Sequence, residues 1–171
     1  MPRAKLDDVD RRMLAALQAD GRMTNLALAR LVGISPPSCL RRMRALREAG
    51  FILAYHAELD PEALGFGVTA FAMVGLTSQA EANLVAFEKR AAAWPLVREC
   101  HMLAGEADFL LKIVAADWDA LQSFLTTELT AAPTVSSVKT MLAIRTSKRE
   151  PGIPVPGDEP PRAAKRRRSR P

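Results

Sequence analysis

Two adjacent prolines, Pro36 and Pro37, stand immediately before an arginine-rich stretch and fix where a helix can begin. The segment 33–50 reads GISPPSCLRRMRALREAG. The first N–H groups of a helix have no partner within it, so proline is accepted at its start and disfavoured in its interior. With Ser35 as the N-cap, the sequence predicts a helix over 35–49 whose starting point is rigidly set.

The residues before this helix complete a recognisable pattern. A first helix is expected to begin near Asp7, with carboxylates in its first turn. A second, short helix has Thr24 as a plausible N-cap and ends at Gly33, because glycine takes positive φ without strain. The third helix has a buried stripe of apolar residues at helical spacing: Cys39, Leu40, Met43 and Leu46. Two short helices joined by a tight glycine turn are typical of a helix-turn-helix.

Charge is distributed unevenly along the 171 residues. The net charge is +3 over 1–60, −3 over 61–147 and +5 over 148–171. Between Gly21 and Arg47 there are six arginines and no acidic residue. A local field of one sign attracts a polyanion even when the net charge is small, which favours double-stranded DNA as the partner. The alternative is an ordinary three-helix bundle with a solvated charged face.

A recognition helix presents its N-terminal residues to the major groove. Arginine can pair bidentately with guanine, and serine can contact several bases or a phosphate. We therefore expect Ser38, Arg41 and Arg42 to contact base edges and nearby phosphates. The full predicted DNA-binding set is Thr24, Asn25, Ser35, Pro37, Ser38, Arg41, Arg42 and Arg44.

The second half of the chain predicts an α+β fold. Strands are expected at 68–77, 97–104, 109–115 and 135–146, with helices at 80–91 and 117–129. The resulting order, βαββαβ, is typical of a ferredoxin-like domain. Two helices on one face of such a sheet leave the other face open, and self-association is the simplest way to cover it.

The remaining segments set the domain organisation. We expect a helix-turn-helix domain over 1–50, a strand and linker over 51–66, and a ferredoxin-like domain over 67–147. Within the linker, 51–59 is predicted to be a strand, as a wing or connector. The segment 148–171 is rich in proline and basic residues and is predicted to be disordered.

Several function classes find no support in the sequence. No apolar run approaches the ~20 residues of a membrane helix, and no signal peptide is apparent, so a cytoplasmic, nucleoid-associated protein is expected. Cys39 and Cys100 are expected to be buried free thiols. No metal-ligand cluster, phosphate loop or Ser/His/Asp set appears, so we expect no enzyme activity, metal or cofactor.

Two motifs resemble one family. The stretch LDDVDRRMLAALQADGRMTNLALARLVGISPPSCLRRMRALREAGFI resembles the DNA-binding half of the Lrp/AsnC regulators, and ECHMLAGEADFLLK resembles their strand-loop-strand signature. The connector LDPEALG also matches, so the resemblance runs from about Leu6 to Lys148. It implies a winged helix-turn-helix followed by a ferredoxin-like effector and oligomerisation domain. It also implies a homodimer, with tetramer or octamer as further states, that binds an amino acid or similar small molecule.

The resemblance carries over a set of effector residues by motif: Met102, Ala104, Gly105, Glu106, Asp108 and Thr140. Asp108 or Glu106 could accept a ligand ammonium, and a glycine loop can expose N–H donors to a carboxylate. The alternative for Asp108 is a turn residue that caps its own backbone. The sequence departs from the family at Ala107, which is often aromatic, and at Val138, which is a threonine there.

Alternative functions remain open at this point. A low-specificity DNA-organising protein of the same family would bind many sequences alike. A sirohaem-decarboxylase-like enzyme on the same fold would have only His56 and His101 available for chemistry. The ending Arg168-Ser169-Arg170-Pro171 weakly resembles a minor-groove binding motif, so the tail is either a DNA contact or a solubilising extension.

Overall fold

The computed structural model describes residues 5–150 and 152–155. The chain divides into two compact units. The N-terminal unit comprises Met1–Glu58 together with Arg149–Pro171, and the sheet unit comprises Leu59–Lys148. Most of the predicted strand at 51–59, and the described residues 149–150 and 152–155 of the tail, therefore belong to the same unit as the helix-turn-helix.

Three helices form the N-terminal unit: α1 (Asp8–Ala19), α2 (Asn25–Val32) and α3 (Pro36–Glu48). Their boundaries follow the predicted caps. Thr24 Oγ1 accepts a hydrogen bond from the N–H of Ala27, and Gly33 ends α2 with φ of +76°. The core between the helices consists of apolar side chains: Met13, Leu17, Leu28, Ala29, Val32, Cys39 and Leu46.

The predicted strand at 51–59 does not pair with any strand in the described part of the chain. Phe51 and Ile52 pack against the helical core, whereas Leu53 is 89% and Leu59 63% exposed. An extended segment needs a neighbouring strand to satisfy its backbone N–H and C=O groups. The described part of a single chain has no strand beside residues 51–59, so the strand prediction is wrong for the single chain.

The sheet unit contains four antiparallel strands in the order β2-β3-β1-β4, where β1 is Val68–Leu76, β2 is Val97–Met102, β3 is Phe109–Ala115 and β4 is Val135–Leu142. Helices α4 (Glu81–Ala93) and α5 (Trp118–Phe124) follow β1 and β3. The βαββαβ order and the α+β class are as predicted.

One face of this sheet packs against the helices. Alternate residues of β1 (Ala70, Ala72, Val74, Leu76) and β3 (Phe109, Leu111, Ile113, Ala115) are buried there. They join Phe87 of α4 and Leu121 of α5 in a single cluster. Residues of the opposite face are only half-buried, so the open face expected from the sequence is present.

Two local predictions differ from the structure. The helix predicted over 117–129 is α5 followed by a π-helical turn, Leu125–Leu129. Threonine hydroxyls there donate to preceding carbonyls, including Thr130 to Leu125 at 2.8 Å, and such bonds distort a helix. Cys100 is exposed on the edge strand β2, whereas Cys39 is buried as expected.

The tail also departs from its prediction. Residues 149–150 and 152–155 lie within the N-terminal unit, where they make specific contacts described below. Residues 1–4, 151 and 156–171, and with them most of the predicted disordered tail, lie outside the described residues. No helix in the described ranges is long and apolar enough to cross a bilayer.

Candidate functional sites

An exposed basic surface lies on α2, α3 and the residues that flank them. Five of the six arginines between Gly21 and Arg47 are exposed and form no ion pair with any described residue: Arg22, Arg30, Arg41, Arg44 and Arg47. Guanidinium groups that are not neutralised within the protein remain available to phosphates and base edges. This surface is the strongest candidate for nucleic-acid contact.

The start of α3 presents polar groups beside these arginines. Ser35 is the N-cap, but its hydroxyl makes no capping hydrogen bond. Pro36 and Pro37 occupy the first two helical positions, so Pro37 lacks the N–H that an N-cap side chain would otherwise accept. The hydroxyl of Ser35 and the exposed face of Pro37 therefore stay accessible, while Ser38 is half-buried.

Asn25 connects the starts of two helices. Its side-chain amide donates to the carbonyl oxygen of Pro36 at 2.9 Å. Its Oδ1 is buried and has no hydrogen-bond partner among the described residues. Thr24 caps α2 as predicted. The contact by which Asn25 holds the start of α3 was not predicted, because Pro36 lies 11 positions further along the chain.

Arg42 is placed differently from the other arginines. Its Nη1 lies 2.7 Å from Oδ2 of Asp7 and 2.8 Å from Oδ1 of Asp10. These two aspartates form the capping box of α1, in which each side chain accepts from the other residue's backbone N–H. The hydrogen bonds from the Asp10 N–H and from Arg42 lower the pKa of Asp7, and those aspartates raise the pKa of Arg42. Arg42 thus joins α3 to α1, unlike the free base contact expected from its position.

The predicted effector loop lies between β2 and β3. Met102 is 61% exposed, and Ala104, Gly105 and Glu106 are exposed. By contrast, Ala107 and Asp108 are buried. The loop therefore has one freely accessible carboxylate, that of Glu106. The carboxylate of Asp108 is buried and hydrogen-bonded within the protein.

The carboxylate of Asp108 is bound on both oxygens. Oδ2 accepts from the N–H of Leu76 at 2.6 Å, and Oδ1 accepts from the side-chain amide of Gln79 at 2.7 Å. The N–H of Asp108 donates to Val74, so both backbone and side chain bind the end of β1. Asp108 does not cap its own turn. It joins the loop to the end of β1 and to the segment that leads into α4.

Thr140 does not approach the loop in the way expected. It pairs with Ala72, and β1 separates β4 from the strand that follows the loop. The β4 residue beside the end of β1 is Ser137, which pairs with Gly75. A Cβ on Gly75 would lie 2.6 Å from the hydroxyl oxygen of Ser137, so a side chain there would require that hydroxyl to rotate away.

Gln79, Gly75 and Ser137 were missed by sequence reasoning. A glycine inside a strand pattern is a signal of close backbone approach and could have identified Gly75. Nothing in the local sequence marks Gln79 or Ser137. No group of histidine, cysteine, aspartate or glutamate side chains within the described residues is arranged to hold a metal ion.

Two family models match the chain. Residues 6–52 match a model of a winged helix-turn-helix DNA-binding domain. Residues 69–153 match a model of the Lrp/AsnC ligand-binding domain. The first match covers α1 to α3, and the second covers the four-stranded sheet and its helices.

Individual proteins are similar over almost the same range. The chain is 54% identical to the leucine-responsive regulatory protein of Rhizobium meliloti over 84% of this chain and 92% of that protein. It is 39% identical to the Bkd operon transcriptional regulator of Pseudomonas aeruginosa, over 83% and 93% of the two chains. A transcriptional regulator from Neisseria meningitidis, solved in complex with L-methionine, superposes with a TM-score of 0.85 at 32% identity, over 89% of this chain and 98% of that one.

Proposed function

Since this chain belongs to the Lrp/AsnC family of transcriptional regulators, we propose that it reads DNA sequence through α3. The observation that carries this proposal is the pair Arg41 and Arg44, exposed on α3 and free of acidic partners among the described residues. The prolines at the start of α3 aim the helix, and the Ser35 hydroxyl lies at its N-terminal end, which is the end that enters the major groove.

Arg42 has a supporting role in this proposal. Its guanidinium binds Asp7 and Asp10, so it fixes the angle between α3 and α1 rather than reading a base. Asn25 acts in the same way at the other end of the turn, through Pro36. Arg41 and Arg44 then contact base edges or phosphates, with Thr24, Ser35, Pro37 and Ser38 in supporting contacts.

The effector is proposed to be an amino acid or a similar small molecule that binds at the loop of the sheet unit. A regulator of similar structure was solved with L-methionine, which makes this ligand class the first to test. Glu106 is exposed and can accept a ligand ammonium. Each oxygen of Asp108 already accepts one hydrogen bond, and each retains a second lone pair for a ligand.

Association through the open face of the sheet completes the proposal. This face pairs apolar side chains, Met73 with Leu110 and Phe71 with Met141. It also carries two lysines, Lys112 opposite Phe71 and Lys139 opposite Met73. A homodimer would cover them, and it would also give the unpaired segment 51–59 a second copy to pair with. Higher states, tetramer or octamer, would use further surfaces.

A regulator of this kind has no catalytic role, and the relatives are named as transcriptional regulators. It acts where the chromosome is, in the cytoplasm at the nucleoid. The ring of His101 lies 3.2 Å from a Glu99 oxygen, a partner that suits a structural histidine. A sirohaem-decarboxylase-like enzyme is therefore the more distant alternative.

The closer alternative is a low-specificity DNA-organising protein. The free arginines outside the recognition helix, Arg22 and Arg30, favour some sequence-independent phosphate contact. The two functions share the same surface and differ in the ratio of specific to non-specific affinity. Measuring that ratio decides between them.

The deciding experiment is a competition gel shift at near-physiological salt. DNA from upstream of the protein's own gene competes against random DNA, with and without a pool of amino acids. A site-specific regulator should prefer one sequence by ~10³-fold or more. Equal affinity for all sequences would favour the DNA-organising protein, and no binding at all would contradict both.

The effector site has a matched control. If amino acids alter binding of the wild-type protein, Glu106→Gln should weaken that response without changing affinity for DNA in the absence of ligand. Glu62→Gln, an exposed glutamate in the segment between the predicted domains, should leave the response unchanged. An unaltered response in Glu106→Gln would contradict the assignment of the ammonium to Glu106.

A further inference from the structure

The segment after the sheet unit makes paired hydrogen bonds to α1. The side-chain amide of Gln18 donates to the carbonyl oxygen of Ile153 at 2.7 Å, and its Oε1 accepts from the N–H of Ile153 at 3.1 Å. One glutamine thus satisfies both backbone groups of one residue, as a neighbouring strand would. The two residues are 135 positions apart in sequence.

Two further features fix the same segment. Arg149 Nε lies 2.9 Å from Oε1 of Glu58, which places an ion pair just before the paired hydrogen bonds. Gly152 has φ of +74°, and a Cβ there would overlap the side chain of Gln18. A side chain at position 152 would therefore both strain the backbone and displace the glutamine. We call Arg149, Gly152 and Ile153, with their partners Gln18 and Glu58, the clasp.

The clasp lies immediately before the most basic part of the chain. Residues 156–171 contain six basic residues, Arg162, Lys165, Arg166, Arg167, Arg168 and Arg170, against two acidic ones. Arg162 is seven positions after Val155, a span of at most about 25 Å when extended. The basic run therefore begins within that distance of the unit that carries α3.

We propose that the clasp attaches the C-terminal segment to the DNA-binding unit, and that the basic run beyond it makes sequence-independent contacts with DNA phosphates. Anchoring raises the effective concentration of the run near DNA that is already bound by the helix-turn-helix. The run then adds affinity and salt dependence without adding sequence preference. This inference rests on the proposed DNA-binding function and adds a second point of contact to it.

The clasp itself is tested without DNA. In the full chain, Gln18→Ala removes the donor and the acceptor for Ile153, and hydrogen exchange in a peptide spanning 149–155 should become about fivefold faster, as expected when a hydrogen bond of ordinary strength is removed. Gln122→Ala, an exposed glutamine on α5, is the matched control and should leave that exchange unchanged. Unchanged exchange in Gln18→Ala would show that the segment is not held, and the proposal would be overturned.

The DNA contact is tested by a cycle of four proteins: wild type, Gln18→Ala, a truncation after Val155, and the truncation with Gln18→Ala. Truncation should weaken binding to specific and random DNA by the same factor. It should also lower the slope of log affinity against log salt by about 0.9 for each phosphate that the basic run neutralises in the full chain. Gln18→Ala should reproduce part of this loss of affinity in the full chain and none of it in the truncated chain.

The outcomes separate this inference from the proposed function. If the truncated chain still prefers its specific site and the salt slope is unchanged, the basic run does not contact DNA and only this inference fails. If Gln18→Ala weakens binding equally in both backgrounds, Gln18 acts at the DNA surface and the clasp is wrong. If the wild-type protein does not bind DNA, the proposed function fails first.

Discussion

Neighbouring arginines on α3 have different environments and so different predicted roles. Arg41 is exposed and free of partners among the described residues, whereas Arg42 binds two aspartates of α1. Arg41→Ala should cost about 1–3 kcal/mol in specific binding if the residue reads a base, with no loss of thermal stability. Arg42→Ala should lower the thermal unfolding midpoint and speed hydrogen exchange in α1.

Gel-shift titration with specific and random DNA measures the affinity of both variants, and thermal unfolding measures their stability. Equal losses of affinity on both DNAs for Arg41→Ala would identify a phosphate contact instead of base reading. A stable Arg42→Ala protein with selectively weakened specific binding would contradict the supporting role and restore Arg42 as a base contact.

The stability of the N-terminal unit depends on pH through the protonation of Asp7. The folded-state pKa of Asp7 lies below its ordinary value, chiefly because its carboxylate accepts from the Asp10 N–H and next because of Arg42. A depressed carboxylate pKa contributes stability that is complete above the unfolded value, about 3.9, and is lost as the pH falls through the folded value. An NMR titration of the Asp7 carboxyl should therefore show a midpoint below the ordinary one.

The control for this titration is Arg42→Ala. Because the backbone hydrogen bond from Asp10 is the larger cause, the variant should move the midpoint only part of the way back. A full return to the ordinary value would mean that the arginine, not the capping box, sets the titration of Asp7.

The turn between α2 and α3 depends on a left-handed residue. Gly33 has φ of +76° and no atom within 4 Å of a Cβ built there, so only backbone strain opposes a side chain. Gly33→Ala should destabilise the N-terminal unit by about 1–2 kcal/mol. Hydrogen exchange of α2 and α3 peptides in the full chain measures this local effect.

Gly21→Ala provides the comparison at a nearby glycine. Its φ is not positive, and a Cβ there would meet Tyr55 and Leu17 at 3.5 and 3.8 Å, which is ordinary contact. It should change exchange little. Gly→Ala at a site of ordinary φ reduces the entropy of the unfolded chain and so favours the fold. Equal destabilisation by the two variants would therefore contradict the left-handed turn as the cause.

The elements that could be predicted from sequence are those whose signals are local. The prolines, the Thr24 cap and Gly33 mark the ends of α2 and α3, and short runs rich in apolar and β-branched residues mark the strands. The pairings of Arg42 with Asp7 and of Asp108 with Leu76 join residues about 30 positions apart. Neither pairing leaves a pattern in the local sequence. The structure therefore assigns Arg42 and Asp108 contacts that the sequence did not predict.

The same reasoning explains the two segments that were predicted wrongly. Residues 51–59, FILAYHAEL, are rich in apolar and aromatic residues, as strands are. A strand also requires a partner strand, which one chain does not supply. Residues 149–155 look like the start of a disordered tail by composition, yet Gln18 binds Ile153. Composition shows how little apolar surface a segment can bury. It does not reveal a specific contact such as the two hydrogen bonds between Gln18 and Ile153.

At the scale of the whole molecule, the open sheet face predicts self-association. Leu110 lies on this face in β3 and pairs with Met73 of the neighbouring strand. This face already carries Lys112 and Lys139. Burying a third ammonium there without an acidic partner is unfavourable, so Leu110→Lys should shift the assembly towards monomer. Analytical ultracentrifugation measures the change, and the wild-type protein should sediment as a dimer or a larger state.

Gln122→Lys adds the same charge on α5, which packs against the opposite face of the sheet, and should leave the assembly intact. Because two half-sites bound by a dimer act together, loss of the dimer should also weaken specific binding more than non-specific binding. A monomeric wild-type protein would contradict the association directly. A Leu110→Lys protein that remains dimeric would move the interface away from the sheet face, and the unpaired segment 51–59 would then be the next surface to test.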